Sequence, residues 1–528
     1  MKAFNYFYKY LMKDFKVNFI KKNPFDKAMH CLLIGLFFLY ILLLIKTAWI
    51  GDDAYITFRT IDNFVNGYGL RWNIVERVQS YTHPLWLFLL SAFYFFTNEI
   101  FFTSLIISIT LSLASVLILV FKLAVAKGNM VLVLFSVIFS KAFIDYSTSG
   151  LENPLTYLLL VLFACIYFSN KTAKTKIIFL SVLSSLVLIN RMDTFLLLLP
   201  AYSYYILKNK YYKNYYLIII GFSPFIFWEL FSLVYYGFLF PNTAYAKLNT
   251  GIDKSDLIIQ GFRYFYSSFK LDPVTLIVLF LLTFLSTLKD NRKFFPFTIG
   301  IFFYLLYIIW IGGDFMSGRF FSAPFLVAVI ILSKIKFNKS IESISFILII
   351  VLIEVFSQKS YHLTKNTEIN LNGICDERLY YYPNTGLILN LTNKSYPNSW
   401  VYDGQNLKIM GTKFSKATGV GFMGFYSGPD CHILDLLALN DPLLARLPSL
   451  NSWRVGHYKR ELPDGYEETL KTGHNQIKNT NLAKYYDKIF LITRGDLWDW
   501  NRIREIWKIN TGQYNYLIQN HFNNKLTN

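Results

Sequence analysis

Charge is what this sequence has least of. Only 16% of its 528 residues are Asp, Glu, Lys or Arg, against 54% hydrophobic residues, whereas a soluble domain carries about 25% charged residues. The mean hydropathy is +0.36. This deficit, with repeated apolar runs, excludes an ordinary soluble fold and indicates a polytopic membrane protein. Cysteine is scarce too: four in the chain and no CxxC pair, which argues against a zinc ribbon. No small-residue cleavage site follows the first apolar run, so that run is expected to stay as a helix. The net charge of +19 comes without any Lys/Arg block interleaved with a nucleic-acid-binding motif, so no nucleic acid is expected as a partner. In a membrane protein such lysines set topology instead. Aromatic residues are abundant, at 19%, and part of that excess fits anchoring among membrane lipids at the bilayer interfaces.

Eleven apolar runs are expected to span: about 31–50, 101–121, 130–144, 151–169, 177–190, 194–207, 216–236, 274–288, 294–311, 320–333 and 341–357. The run Pro84–Phe96 is too short for an ordinary span. The positive-inside rule decides its role. The basic N-terminus 1–30 is expected to be cytoplasmic, which puts Gly51 outside. If 84–96 does not span, the clusters Lys122/Lys127, Lys171/Lys174/Lys176, Lys208/Lys210/Lys213, Lys289/Arg292/Lys293 and Lys334/Lys336/Lys339 all fall inside. The segments 51–100, 145–150, 191–193, 237–273 and 312–319, and the whole of 358–528, then fall outside. Every unusual polar motif is thereby gathered on one face. A transporter would instead show acids in mid-span and repeated broken helices. The expectation is a helical membrane domain over 31–357, with a first external loop 51–100 and a C-terminal extracytoplasmic α/β domain over 358–528. In that last region Gly386–Leu391 and Lys488–Thr493 read as strands and Ile433–Leu444 as a helix. Cys375 and Cys431 there are either a disulfide of an oxidising compartment or two free buried thiols.

The motifs share one chemistry. Asp52 and Asp53 follow directly on the first apolar run, and a glycosyl transfer needs a base at hydrogen-bond distance from the acceptor hydroxyl. A bare acid pair in a loop is usually a solvated helix end, but here it heads a polar, aromatic segment reaching His83. Aromatics and amides together suit a sugar pocket. Arg59 and Arg319 suit a phosphate, since arginine binds it bidentately, and Lys247 reaches one as a point charge. Glu152 stands at the outer start of a span, where an acid is a functional candidate by default. Arg191 and Asp193 flank Met192 and pair with each other in the simplest case. Asn242 lies in Phe240-Pro241-Asn242-Thr243, and Asp314 in the glycine-rich Gly312–Arg319.

Laid out together, these residues resemble the GT-C superfamily of membrane glycosyltransferases. The resemblance rests on Gly51-Asp52-Asp53-Ala54-Tyr55-Ile56, Tyr81-Thr82-His83-Pro84-Leu85-Trp86, Ser149-Gly150-Leu151-Glu152, Arg191-Met192-Asp193, Phe240-Pro241-Asn242-Thr243 and Gly312-Gly313-Asp314-Phe315-Met316 with Gly318-Arg319-Phe320. It extends to Asp441-Pro442-Leu443-Leu444-Ala445-Arg446-Leu447-Pro448 and Trp453-Arg454-Val455-Gly456-His457. Within the superfamily the pattern is similar to the terminal β-(1→2)-arabinofuranosyltransferase branch, whose relatives are also labelled flagellar motor control proteins. The resemblance implies an enzyme of the bacterial inner (cytoplasmic) membrane with its active site on the extracytoplasmic side. It implies a polyprenyl-phosphate sugar donor, with arabinofuranose as the sugar, a glycan, lipid or protein acceptor, and an inverting single displacement. Asp52 would be the base by position with Asp53 as its neighbour, the choice between the two staying open; Arg59, His83, Lys247 and Arg319 would hold the donor phosphate, and Glu152, Arg191, Asp193, Asn242 and Asp314 would line the sugar and acceptor pocket. Some superfamily members use a divalent cation (Mg2+, Mn2+ or Ca2+) at this loop, which makes Asp53 a candidate ligand. The alternative is a non-enzymatic membrane scaffold or motor-control protein.

Overall fold

The computed structural model describes residues 24–170, 172–337, 340–357 and 372–519. Most of the basic N-terminal segment and residues 358–371 lie outside the described residues. The chain is mostly helical, and each apolar run falls within helical segments. Among the described residues, four helices are long and apolar enough to cross a membrane: Lys27–Thr47, Phe101–Leu123, Tyr211–Tyr235 and Asn291–Ile311. Lys254–Leu271 and Pro273–Thr287 form a pair bent by 110°. The bend is fixed at Asp272, whose carboxylate accepts from Thr275 N at 3.0 Å and from Ala142 N at 2.7 Å. Pro84–Thr97 has 14 residues, short of the roughly 20 that a straight crossing needs. These helices fit a membrane protein.

The expected strands and helix of the C-terminal region are exchanged. Lys488–Thr493 lies inside the helix Thr480–Arg494, and Leu387–Leu391 is also helical. Over the full length of Thr480–Arg494, Leu482, Tyr485, Tyr486, Ile489 and Ile492 are buried. That is helical spacing, hidden in a six-residue window. Asn479 starts this helix by accepting from Leu482 N at 3.0 Å. Conversely, Ile433 begins in a strand: β1 (Phe414–Ala417) pairs in parallel with β2 (His432–Asp435), Phe414 opposite His432. Asp435 stops the chain from continuing as a helix, because its carboxylate turns back onto Leu437 N at 2.8 Å and Asn440 N at 3.1 Å. All four cysteines are free, so Cys375–Cys431 is not a disulfide. Separate anchors hold the two thiols: Cys375 Sγ donates to Glu377 Oε1 at 2.7 Å, while the Cys431 carbonyl accepts from Arg59 Nη2 at 2.8 Å.

The C-terminal region shares its cores with the rest of the chain. Tyr381, Val401 and Phe422 belong to the main core of the helical part. A second core joins Ile56 and Trp72 to Leu434, Tyr466 and Ile489. Polar contacts reinforce this docking. Arg378 Nε donates to Asp145 at 2.6 Å, and Lys141 bridges Asp145 and Asp376. The Asp52 carboxylate accepts from Gly421 N at 3.1 Å and from Phe422 N at 2.6 Å. Gly421 is required there, since a Cβ would stand 1.9 Å from the Asp52 carbonyl oxygen.

Burial pushes the Asp52 carboxyl up to about 7, against the pull of those two N–H groups. The folded protein therefore holds this proton more tightly than the unfolded chain does. The group's contribution to stability is complete below 3.8 and is lost as pH rises to about 7. Asp52→Asn should accordingly gain thermal stability relative to wild type as pH rises through that window. Parallel pH profiles of the two proteins in detergent would contradict the burial of this charge.

Candidate active site

The helix Asp52–Val65 starts from an extended Gly51, and its two acids occupy the first turn, where the helix dipole favours negative charge. Consecutive helical residues point about 100° apart, so the pair cannot share a direction. Asp52 turns to the C-terminal region, as described above. Asp53 turns the other way, into a cavity of about 440 Å³, with Ile56 and Thr57 from the same helix beside it. Among the described residues, no hydrogen bond or ion pair engages the Asp53 carboxylate. Of the two acids, Asp53 lines this cavity and Asp52 does not.

Behind the cavity wall lies Glu152, fully buried. Its carboxylate receives Arg191 Nη1 at 2.6 Å, Arg319 Nη2 at 3.3 Å and His83 Nδ1 at 3.3 Å. Glu152 is positioned by two local contacts: Gly51 N donates to Ser149 O at 3.1 Å, and Trp86 Nε1 donates to Gly150 O at 3.0 Å. Gly150 has φ +79°, and a Cβ there would meet Ala54 at 2.8 Å. The Gly-Asp-Asp and Ser-Gly-Leu-Glu motifs are therefore packed against each other. Arg191 also donates from Nε to Asp193 at 2.8 Å and lies over the Phe320 ring at 4.7 Å. Asp193 in turn accepts from Tyr304 OH at 3.2 Å. Arg319 approaches Asp314 at 3.7 Å, and its Nε, although buried, has no partner.

His83 caps the helix Pro84–Thr97. Burial holds its pKa down at about 4 despite the neighbouring Glu152. A ring neutral at physiological pH makes His83 a polar group of the cavity wall rather than a cation: Nδ1 lies 3.3 Å from Glu152 and 3.3 Å from Thr82 Oγ1, and Nε2 lies 2.8 Å from Thr57 Oγ1.

Arg191, Asp193, Lys247, Asp314 and Arg319 all line the cavity. Lys247 makes no ion pair with a described carboxylate. Besides Asp52 and Glu152, two further expected residues do not reach the cavity. Arg59 is buried, with its guanidinium donating to Trp72 O at 2.8 Å, Gly424 O at 2.6 Å and Cys431 O at 2.8 Å. A guanidinium committed to three carbonyls has no fork left for phosphate. Asn242 Nδ2 is shared among Ala438 O, Leu439 O and Asp441 O, each at 3.0 Å, and its Oδ1 accepts from Arg446 at 3.1 Å. It therefore ties the Phe-Pro-Asn-Thr motif to the Asp-Pro-Leu-Leu-Ala-Arg turn. Among the described residues, no three His, Cys, Asp or Glu side chains gather as metal ligands. Asp53 shares its cavity with three cationic side chains, so this donor set does not fit a resident divalent cation.

The sequence reading missed the far wall, formed by Leu439, Val455, Gly456 and Tyr458 of the C-terminal region. The Trp-Arg-Val-Gly-His motif was its available signal. Thr57 and Tyr307 were missed as well. Thr57 was foreseeable as the residue one helical turn after Asp53, whereas Tyr307 lies inside a plain apolar run.

The chain is similar to one characterised enzyme. The terminal β-(1→2)-arabinofuranosyltransferase of Mycobacterium tuberculosis (strain ATCC 25618 / H37Rv) is 24% identical, over 79% of this chain and 81% of its own length. That relative is a glycosyltransferase, and the alignment supports a distant relationship. No protein-family model and no solved structure matches.

Removing the Glu152 charge takes from Arg191 and Arg319 the buried carboxylate they share and should cost about 3 kcal/mol. Glu152→Ala is therefore expected to lower the thermal unfolding temperature sharply. Lys247→Met, at a cation without a carboxylate partner, should leave it nearly unchanged. Equal effects would contradict the division between a buried hub and a free cavity cation.

Proposed function

We propose that the chain is a GT-C type membrane glycosyltransferase. In this reading it moves arabinofuranose from a polyprenyl-phosphate donor to a hydroxyl of an extracytoplasmic glycan, lipid or protein. The observation that carries the reading is the unpartnered Asp53 carboxylate sharing one cavity with Lys247 and Arg319. A base and a phosphate site are what a single displacement requires. The acceptor hydroxyl gives its proton to Asp53 as its oxygen bonds to the anomeric carbon. The bond from that carbon to the phosphate oxygen breaks on the opposite face, and the configuration inverts. The leaving polyprenyl phosphate gains charge, which Lys247 and the Arg319 guanidinium at the cavity stabilise. Glu152 holds Arg319 and Arg191 in place without neutralising Lys247. Asp193 is committed to Arg191, and Asp314 lies 3.7 Å from Arg319 with its Oδ2 accepting no hydrogen bond, whereas Asp53 makes neither a hydrogen bond nor an ion pair among the described residues. The distant arabinofuranosyltransferase relative supports the pentose. Catalysis here runs through side chains alone, with no step through a metal.

The test uses purified full-length protein with polyprenyl-phosphoryl arabinofuranose and a panel of envelope acceptors, following release of polyprenyl phosphate. Asp53→Asn should lower turnover by about 10²–10⁴-fold, the usual worth of a general base. Lys247→Met should lower it by about 10²-fold. Asp52→Asn should retain most activity while its stability profile changes. Full activity of Asp53→Asn would remove the proposed base, and loss confined to a folded Asp52→Asn would return that role to its neighbour.

A further inference from the structure

Tryptophan exposure is uneven in this protein: besides Trp310, which is 54% exposed, the exposed rings gather near the C-terminal end. Trp49, Trp72 and Trp86 are fully buried, yet Trp498, Trp500 and Trp507 are 77%, 76% and 69% exposed. The helix Trp500–Asn510 is two-sided. Arg502, Glu505 and Ile506 face inward, while Trp500, Arg504 and Trp507, at i, i+4 and i+7, form one exposed stripe.

The location of the stripe decides what covers it. Arg502 Nη2 donates to Tyr235 O at 3.0 Å, and Asn510 Nδ2 donates to Gly237 O at 2.8 Å. Phe238, Ile492 and Ile506 form a small core at the same place. The helix is therefore fastened to the end of Tyr211–Tyr235, a stretch long and apolar enough to cross a membrane and mostly unburied by protein. Phe227 and Leu230 on that stretch are exposed. Tyr212, Tyr215 and Tyr216, near its other end, are exposed, as the residues of an aromatic belt are. Charge agrees with the placement. Lys488, Arg504 and Lys508 crowd one buried carboxylate, Glu505, at 3.9, 3.5 and 3.5 Å. Three cations on one acid leave positive charge beside Trp507 for lipid phosphates.

We propose that Trp498, Trp500 and Trp507 are a membrane-interface anchor. Their rings sit in the headgroup region of the bilayer that Tyr211–Tyr235 crosses, with Arg504 and Lys508 turned to lipid phosphates. An indole suits this layer because its ring is apolar and its N–H still needs a partner. The anchor fastens the C-terminal region, and with it the Val455–Tyr458 wall of the cavity, at a fixed height on the membrane. This inference is independent of the glycosyltransferase reading.

The test reconstitutes the full-length chain in vesicles containing phospholipid brominated just below the headgroup. Wild-type emission minus that of the Trp498→Phe/Trp500→Phe/Trp507→Phe variant isolates the three rings. The expected difference spectrum is blue-shifted from that of indole in water, loses most of its intensity to the brominated lipid, and resists aqueous iodide. A water-like difference spectrum, quenched by iodide and untouched by brominated lipid, would overturn the anchor. So would a spectrum that shifts only on adding soluble oligosaccharide, or only on self-association of the protein. Should the triple variant fail to fold, Trp507→Phe alone gives the same subtraction with the same two outcomes.

Discussion

A buried carboxylate cannot stay charged alone, and the interior of this protein is arranged around that constraint at Glu152. Taking a carboxylate out of water costs several kcal/mol unless partners surround it. Here the partners come from three other places in the chain: His83 before one helix, Arg191 after another, and Arg319 at the start of a third. Satisfying one charge therefore fixes three separate segments against each other. The same contacts aim the remaining donors of Arg319 and the ring of His83, and these form one side of the cavity.

The other side is set by the helix Asp52–Val65. Its first two residues diverge by helical geometry, so one acid is spent on structure and its neighbour faces the cavity. Asp52 binds two backbone N–H groups of the C-terminal region. Through that clamp, and through the Arg59 contacts with Gly424 and Cys431, the C-terminal region becomes part of the cavity rather than an appended domain. Asn242 extends the same principle, joining two motifs far apart in sequence by a cage of carbonyls.

The residues with extreme chemistry were legible in the sequence. A pair of acids after a long apolar run, an acid opening another run and an arginine after a glycine-rich turn all converge, with Asp53, Lys247, Arg191 and Arg319 at the cavity and Glu152 behind it. What the sequence did not separate was binding from bracing. Arg59, Asn242 and Asp52 carry the same groups as true cavity residues, and only the fold shows their hydrogen bonds already filled. The C-terminal secondary structure was misread for a related reason. Short apolar windows do not distinguish a strand from a buried helix, and the Asp435 turn that ends β2 depends on side chain to backbone contacts. The far wall from Leu439 to Tyr458 left the Trp-Arg-Val-Gly-His motif as its signal, because its other residues are ordinary and become part of the site only through docking.

The central claim is that Asp53 acts as the base of a pentosyl transfer. Its most direct test is mass spectrometry of envelope glycans and surface proteins from a deletion strain complemented with wild type or with Asp53→Asn. The account predicts that wild type restores an anhydropentose to a defined acceptor, while Asp53→Asn, present at the same level in the membrane, leaves that acceptor short by one pentose. An acceptor profile fully restored by Asp53→Asn would contradict the account and favour a non-enzymatic membrane scaffold.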